Sequence, residues 1–295
     1  MTARLTVPTP LLAGPFTRAE ALRYIGPDAL RGPSYQRLLR GVHRTAGELT
    51  HLDRILAARQ VLPTDAVLAG PSALWALGAE LAPASAPAEV ILPASSGARN
   101  RTHLRVRRAK LGRGEATMLA LGPTTTPART AFDLARSGEP VDAVPLLDAL
   151  VQETGVTRAQ VLEVMAAHPR ARWLSRVEPA LDLVDPRSES VRESQLRVAC
   201  FEFGLPKPVP QYVIRARNGA FVARVDLAWP ELLVALEYDG AHHDERDQIS
   251  RDRARANAIR SAGWTLLAVD ARQFARRAEM LEMIRAVLRS AEPRP

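Results

Sequence analysis

The chain has 295 residues, 46% of them hydrophobic, with 40 Lys and Arg against 32 Asp and Glu, a formal charge of +8. At ~150 residues per domain this suggests about two domains with a real core, which excludes a disordered tail or a small peptide scaffold. Lys occurs only at Lys110 and Lys207, neither after a Gly, which excludes a Gly-Lys-Ser/Thr phosphate loop and argues against Schiff-base chemistry, and the lone Cys200 excludes a disulfide framework and a cysteine zinc site.

The other basic residues are all Arg, whose planar fork suits phosphate. The histidines include no HExxH pair. The N-terminus has no apolar signal core, and no uncharged apolar run reaches ~18 residues. The expectation is a cytoplasmic protein with no membrane partner. Its net charge favours an anionic one.

Three regions are expected. In the first, 1–48, Thr17-Arg18-Ala19-Glu20 opens a helix as a capping box, and Gly26-Pro27 ends it. A short turn covers Asp28 to Gly32. Tyr35 to Arg44 reads as a short helix or as a strand pair around Gly41. Helix, turn and basic hairpin suit a winged-helix DNA-binding region in which Arg37 and Arg40 would meet phosphate. The other reading is a small helical cap with solvated arginines.

The second region, 49–186, reads as an α+β domain. Helices are expected over Thr50–Arg59, over Ser72–Ala79 with Ser72 as cap, and from Thr126-Pro127, with Pro at the favoured first position. Three more follow over Val141–Glu153, Thr157–Ala167 and Ala171–Val184. Strands are expected over Ala88–Leu92 and Leu104–Arg108. The region shows no constellation of chemical residues, His103 and His168 being isolated. Asp185-Pro186-Arg187-Ser188 reads as a linker.

The third region, 187–295, begins with a helix over Ser190–Phe203, stopped by Gly204-Leu205-Pro206. A strand over Gln211–Arg217 turns at Asn218-Gly219, a strong hairpin signal, into Ala220–Ala228. Phe221, Ala223, Val225 and Leu227 would share one face. Val234–Tyr238 is a third strand. A helix over Asp247–Ala262, a strand over Trp264–Val269 and a helix over Arg272–Leu288 complete an αβββαβα mixed-sheet α/β domain.

Chemistry concentrates on Asp226, Glu237 and Asp239. Alternation puts Glu237 and Asp239 on one face of their strand. A four-residue loop over Pro230–Leu233 pairs Trp229 with Val234 and, counting back, Asp226 with Glu237; a loop one residue shorter would separate them. Opposed carboxylates destabilise a sheet unless a cation holds them, and hard oxygen ligands suit Mg²⁺. Glu193 points toward the buried stripe of its helix, either as a third acid or as the partner of Ser190 in a capping box. His242 and His243 follow the acidic strand end, where a histidine could donate a proton or hold a phosphate. The next helix carries Arg251 and Arg255, either paired to Asp247 and Asp252 along a solvated face or turned toward phosphate.

Six segments in order resemble one family. They are Ser190-Val191-Arg192-Glu193-Ser194-Gln195-Leu196-Arg197, Gly204-Leu205-Pro206, Arg224-Val225-Asp226-Leu227-Ala228-Trp229-Pro230, Leu236-Glu237-Tyr238-Asp239-Gly240-Ala241-His242-His243, Asp252-Arg253-Ala254-Arg255 and Gly263-Trp264. Together they resemble the domain related to very-short-patch-repair endonucleases, in the PD-(D/E)XK superfamily, over about 187–280. The resemblance implies a restriction-endonuclease-like αβββαβ core and Mg²⁺-dependent (or Mn²⁺-dependent) cleavage of DNA. It implies Asp226 and Glu237 as metal ligands completed by Glu193, with Asp239 standing where the superfamily has Lys. It matches His243 to a family histidine, and it matches Asp252 and Arg255 to a later helix pair.

The front of the chain is similar to AbiEi-type antitoxin or regulator proteins at Phe16-Thr17-Arg18-Ala19-Glu20-Ala21, Arg40-Gly41-Val42-His43-Arg44 and Thr126-Pro127-Ala128-Arg129-Thr130-Ala131-Phe132-Asp133-Leu134-Ala135. The expected function is a Mg²⁺-dependent DNA endonuclease. The alternative is an antitoxin-like or transcriptional regulator that binds DNA through a nuclease fold that no longer cuts.

Overall fold

A computed structural model describes residues 7–240 and 246–291, without the side chains of 246–252. Along the chain lie β1 (Phe16–Thr17), α1 (Arg18–Ala21), α2 (Pro27–Leu30), β2 (Tyr35–Leu39), β3 (Val42–Thr45), α3 (His51–Arg59), β4 (Val67–Leu68), α4 (Gly70–Ala76), β5 (Ala88–Leu92), β6 (Leu104–Arg108), β7 (Ala116–Leu119), β8 (Gly122–Thr125) and α5 (Pro127–Ala135). Then come α6 (Pro140–Thr154), α7 (Arg158–Ala167), α8 (Val177–Asp182), α9 (Val191–Glu202), β9 (Val209–Arg215), β10 (Phe221–Trp229), β11 (Val234–Asp239), α10 (Arg246–Ser261), β12 (Thr265–Asp270), α11 (Ala271–Ala275) and α12 (Arg277–Ser290). The class is mixed α/β with several sheets.

The chain divides into two compact units, 1–137 with 153–177, and 138–152 with 178–295. These cut across the three regions read from the sequence. Most of α6, and α8, belong with the last sheet.

In the first unit β1, β3 and β2 form one antiparallel sheet. Tyr35 to Arg44 is therefore the strand pair, not a helix. Capping boxes start α1 at Thr17 and Glu20, and α3 at Thr50 and Asp53. A second sheet runs β6-β5-β4-β8-β7. Its members β4, β7 and β8 have two to four residues each, too short for a readable period. Ser72 does not cap α4, which begins at Gly70-Pro71. Its hydroxyl instead accepts the Glu89 N–H at 2.8 Å and bonds His51 Nε2 at 2.9 Å, both buried. The helix expected over Ala171–Val184 is a 3₁₀ turn, Leu174–Arg176, followed by α8.

The middle of this unit holds a buried ionic network that the sequence did not suggest. Asp133 accepts from Arg129 Nε at 3.0 Å, Arg107 Nη2 at 3.1 Å and Arg136 Nη2 at 2.6 Å. Arg129 Nη1 also reaches Glu115 at 2.5 Å, and Arg107 reaches Glu89 at 3.0 Å. His168 is not isolated, because its Nε2 lies 2.7 Å from Glu115 Oε1. The Arg129 and Asp133 of the Thr126–Ala135 segment thus meet other protein charges on α5.

From α9 on, the second unit follows the expected αβββαβα order, its last helical part divided into α11 and α12. The sheet runs β12-β11-β10-β9, with β11 and β12 parallel and the rest antiparallel. Asn218-Gly219 makes the β9–β10 hairpin, with Gly219 at φ +83°, a left-handed position that favours Gly. One core, with Leu196, Leu227, Trp229, Val234, Leu236 and Ile284, joins α9 and α12 to one side of the sheet. A second, with Ile214, Ala223, Val225, Ala235 and Ile259, joins α10 to it. Val225 and Leu227 belong to different cores although they are two residues apart, and Phe221 is 66% exposed. The single shared face expected for β10 is therefore wrong. The stripe changes side at Asp226, opposite the left-handed Gln211 of β9. Asp148 on α6 is tied to α9 by Arg197 at 2.6 Å and by the Ser194 hydroxyl at 2.6 Å, all buried.

Candidate active site

The β10–β11 turn has the length read from the sequence. Pro230–Leu232 is a 3₁₀ turn, Leu233 closes it at φ +52°, and Trp229 pairs with Val234. The ladder continues through Ala228↔Ala235 to Leu227↔Leu236. Asp226 and Glu237 are next in register, but there the pairing stops. The Asp226 side chain takes the place of a ladder carbonyl, its Oδ2 accepting the Tyr238 N–H at 2.8 Å. The direct cross-strand pair expected from counting is thus a parting of the strands.

Three acids converge on this parting. Burial pushes the Asp226 carboxyl up to about 6; the Tyr238 N–H and Arg255 oppose this, and the charges of Glu193 and Glu237 add to it. Glu193, on the first turn of α9, is buried. It does not complete a capping box with Ser190. Its Oε2 accepts the Glu189 N–H at 2.9 Å and the Gln211 Nε2 at 2.7 Å. Sequence reasoning missed Gln211 as a partner of Glu193, and nothing in its local sequence marks it.

Glu237 is not left bare toward a metal. Arg255 grips both of its oxygens, at 2.6 and 2.7 Å, and donates to the Arg224 carbonyl at 2.6 Å. Arg255 is therefore neither an uncommitted phosphate contact nor a member of a purely solvated helix face. Asp239 is exposed at the end of β11, next to Asp270 of β12. His242 and His243 lie outside the described residues, as do the side chains of Arg251 and Asp252. Arg37 and Arg40 are exposed in the first unit, on β2 and in its turn to β3. Burial lowers the pKa of the neighbouring His43, and the Arg37 and Arg18 charges lower it further, the mark of a positive surface.

Among the described residues no group of three His, Cys, Asp or Glu side chains is drawn together closely enough to cage a metal. The donor set nevertheless fits Mg²⁺, which takes one or two carboxylates and keeps several waters. Asp226 and Glu193 each commit one carboxylate oxygen to protein donors, and no donor among the described residues reaches Asp226 Oδ1 or Glu193 Oε1.

No family model matches the chain. Two curated relatives, an uncharacterized protein MT2308 and an uncharacterized protein Rv2248 from two strains of Mycobacterium tuberculosis, are each 32% identical over 146 residues. That alignment covers 49% of this chain and 54% of each relative, so the chain spans about half the length of the relatives it matches. The crystal structure of the RV2827C protein from Mycobacterium tuberculosis is similar with a TM-score of 0.40 and 17% identity, over 69% of this chain and 84% of that chain.

Proposed function

We propose that the second unit is a divalent-metal-dependent phosphodiester hydrolase acting on DNA, with a restriction-endonuclease-like sheet. The observation that carries this reading is the raised Asp226 carboxyl at the parting of β10 and β11, with Glu193 and Glu237 beside it. A carboxyl perturbed by burial, with other acids beside it, is a mark of functional sites. Asp226 and Glu193 would hold Mg²⁺, with Glu237 beside them on Arg255. Bound there, the ion would lower the pKa of a water and neutralise charge on the phosphate. Gln211 and the Glu189 N–H orient Glu193, and the Tyr238 N–H orients Asp226. Arg255 orients Glu237 and brings a cation to the edge where a phosphate would approach.

The test is nicking of supercoiled plasmid by the wild type and by Glu237→Ala, in Mg²⁺, Mn²⁺ and EDTA. Cleavage that needs the metal and disappears in the variant is the expected result. Metal-dependent cleavage by both proteins would remove Glu237 from the site.

The first unit is proposed to bind DNA through the Arg37 and Arg40 surface. Arg37→Ala and Arg40→Ala are each expected to weaken binding about equally for all sequences and to lower the salt slope of log K by about 1. Filter binding between 50 and 200 mM salt, a range chosen to expose that slope, measures both effects. An unchanged slope would place the contact elsewhere.

A second reading, a DNA-binding regulator with a silent nuclease fold, is favoured by one observation: both Glu237 oxygens are already occupied by Arg255. It predicts no cleavage in any metal and a preference for one operator of ~10³-fold or more over random DNA.

A further inference from the structure

We infer that Gln211 is the positioning residue that aims Glu193 at Asp226 without cancelling its charge. The assignment rests on the nuclease reading above. Pro210 pairs with Leu227 and Tyr212 with Val225, so Gln211 stands opposite Asp226 across the sheet. Glu237 follows Leu236, the last residue of β11 that pairs with β10 on this side, so it lies where the two strands part. Gln211 and Asp226 therefore stand side by side on neighbouring strands at that parting, and Glu193 comes from α9 onto Gln211.

The backbone at Gln211 is unusual for a strand. Three non-glycine residues among those described have positive φ: Trp173, Gln211 and Leu233. Trp173 opens a 3₁₀ turn and Leu233 closes one. Gln211 sits inside β9, at φ +52°. A left-handed conformation disfavours any side chain and persists where the surrounding structure imposes it. The distortion delivers the amide Nε2 to Glu193 Oε2 at 2.7 Å. Ordinary alternation along β9 would give this side chain another direction.

The choice of group matters as much as its place. An Arg or Lys at 211 would neutralise Glu193, as Arg255 neutralises Glu237. A Gln amide donates one hydrogen bond and carries no charge. Glu193 is fixed by it and by the Glu189 N–H, and both donors fall on the same oxygen. The other oxygen keeps the carboxylate's charge for a cation beside Asp226. Partners of this kind orient metal ligands, and losing one typically lowers metal affinity 10–100-fold.

The experiment is Mn²⁺ binding by calorimetry on the full chain, with thermal melting of the same samples, for the wild type, Asp226→Asn, Gln211→Ala and Gln211→Gly. The wild type is expected to bind Mn²⁺ and Asp226→Asn to lose that binding. Gln211→Ala and Gln211→Gly are both expected to weaken it about 10–100-fold. Gln211→Gly is further expected to melt at or above the wild-type temperature, because Gly adopts the left-handed backbone without strain. A merely structural role would make both variants melt lower. The Mg²⁺ concentration for half-maximal nicking is expected to rise by the same factor, with the rate recovering at saturating Mg²⁺.

Wild-type affinity in both Gln211 variants overturns this assignment and leaves the nuclease reading standing. So does weaker binding that is matched by a lower melting temperature in Gln211→Gly. No Mn²⁺ binding by the wild type, or binding unaffected by Asp226→Asn, overturns the nuclease reading and this assignment with it.

Discussion

Asp226→Asn is expected to lose metal-dependent nicking on the order of 10³-fold or more and, at the same time, to make the protein more stable above pH 6. Both effects come from one buried carboxylate. On the nuclease reading Asp226 would supply negative charge to the metal, which an amide does not replace. Without metal that charge is a burden, since burial raises the carboxyl from 3.8 to about 6, with Glu193 and Glu237 adding to the shift. The sign follows from the direction of the shift. Between pH ~4 and ~6 the folded protein holds a proton on Asp226 that the unfolded chain has released. Stability from this group is therefore full below about pH 4, falls as pH rises to about 6, and is flat above that. Discounted for the solvent that still screens the group, the difference is about 1–2 kcal/mol. Asn keeps an acceptor for the Tyr238 N–H and carries no charge, so the variant lacks this segment of the curve. Urea unfolding of both proteins from pH 4 to 8 measures the difference. Variants of equal stability at pH 7 would mean that the charge is not frustrated. Added Mn²⁺ should reverse the order by stabilising the wild type alone.

The sequence carried the second unit further than the first. The β10–β11 turn was legible because Trp229-Pro230 and the apolar run from Val234 bracket a loop whose length fixes the register. The 218–219 hairpin and the Thr17 and Thr50 helix starts were legible because their causes lie within a few residues. The parting of the strands at Asp226 was not, because a ladder count assumes that the strands stay together. Nor was Gln211, whose role depends on a φ angle and on a helix 18 residues before it in the chain. Arg255 was read against Asp252, its neighbour along the helix, but it pairs with Glu237, likewise 18 residues away. The same limit hid the ionic network of the first unit. Its links span 14 residues from Glu115 to Arg129, 18 from Glu89 to Arg107 and 53 from Glu115 to His168, and they follow no helical or strand period. Thr126 to Ala135, a segment similar to antitoxin or regulator proteins, holds that network together at Arg129 and Asp133.

Asp133→Ala is expected to destabilise the first unit by about 3–5 kcal/mol, lowering its melting temperature by roughly 10 °C. The Asp133 side chain has no exposed surface and accepts from three guanidiniums, those of Arg107, Arg129 and Arg136. Burial alone would raise its carboxyl, but the three cations outweigh that and hold it below the ordinary Asp value. The charge is therefore stabilising at neutral pH, and its contribution is lost as pH falls through the lowered folded value. Truncation to Ala leaves Arg129, itself buried, with Glu115 as its one remaining carboxylate partner. It also leaves Arg107 with Glu89 alone. Asp133→Asn is expected to cost less than Ala, since it keeps an acceptor and the volume, and more than any substitution of the exposed Arg37. The two units should also separate in the melt. Asp133→Ala should lower a transition that belongs to residues 1–137 and 153–177, and should leave unchanged the Mn²⁺ binding proposed for Asp226 and Glu193 in the other unit. A variant that melts with the wild type would show that the network is not what holds α5 in place.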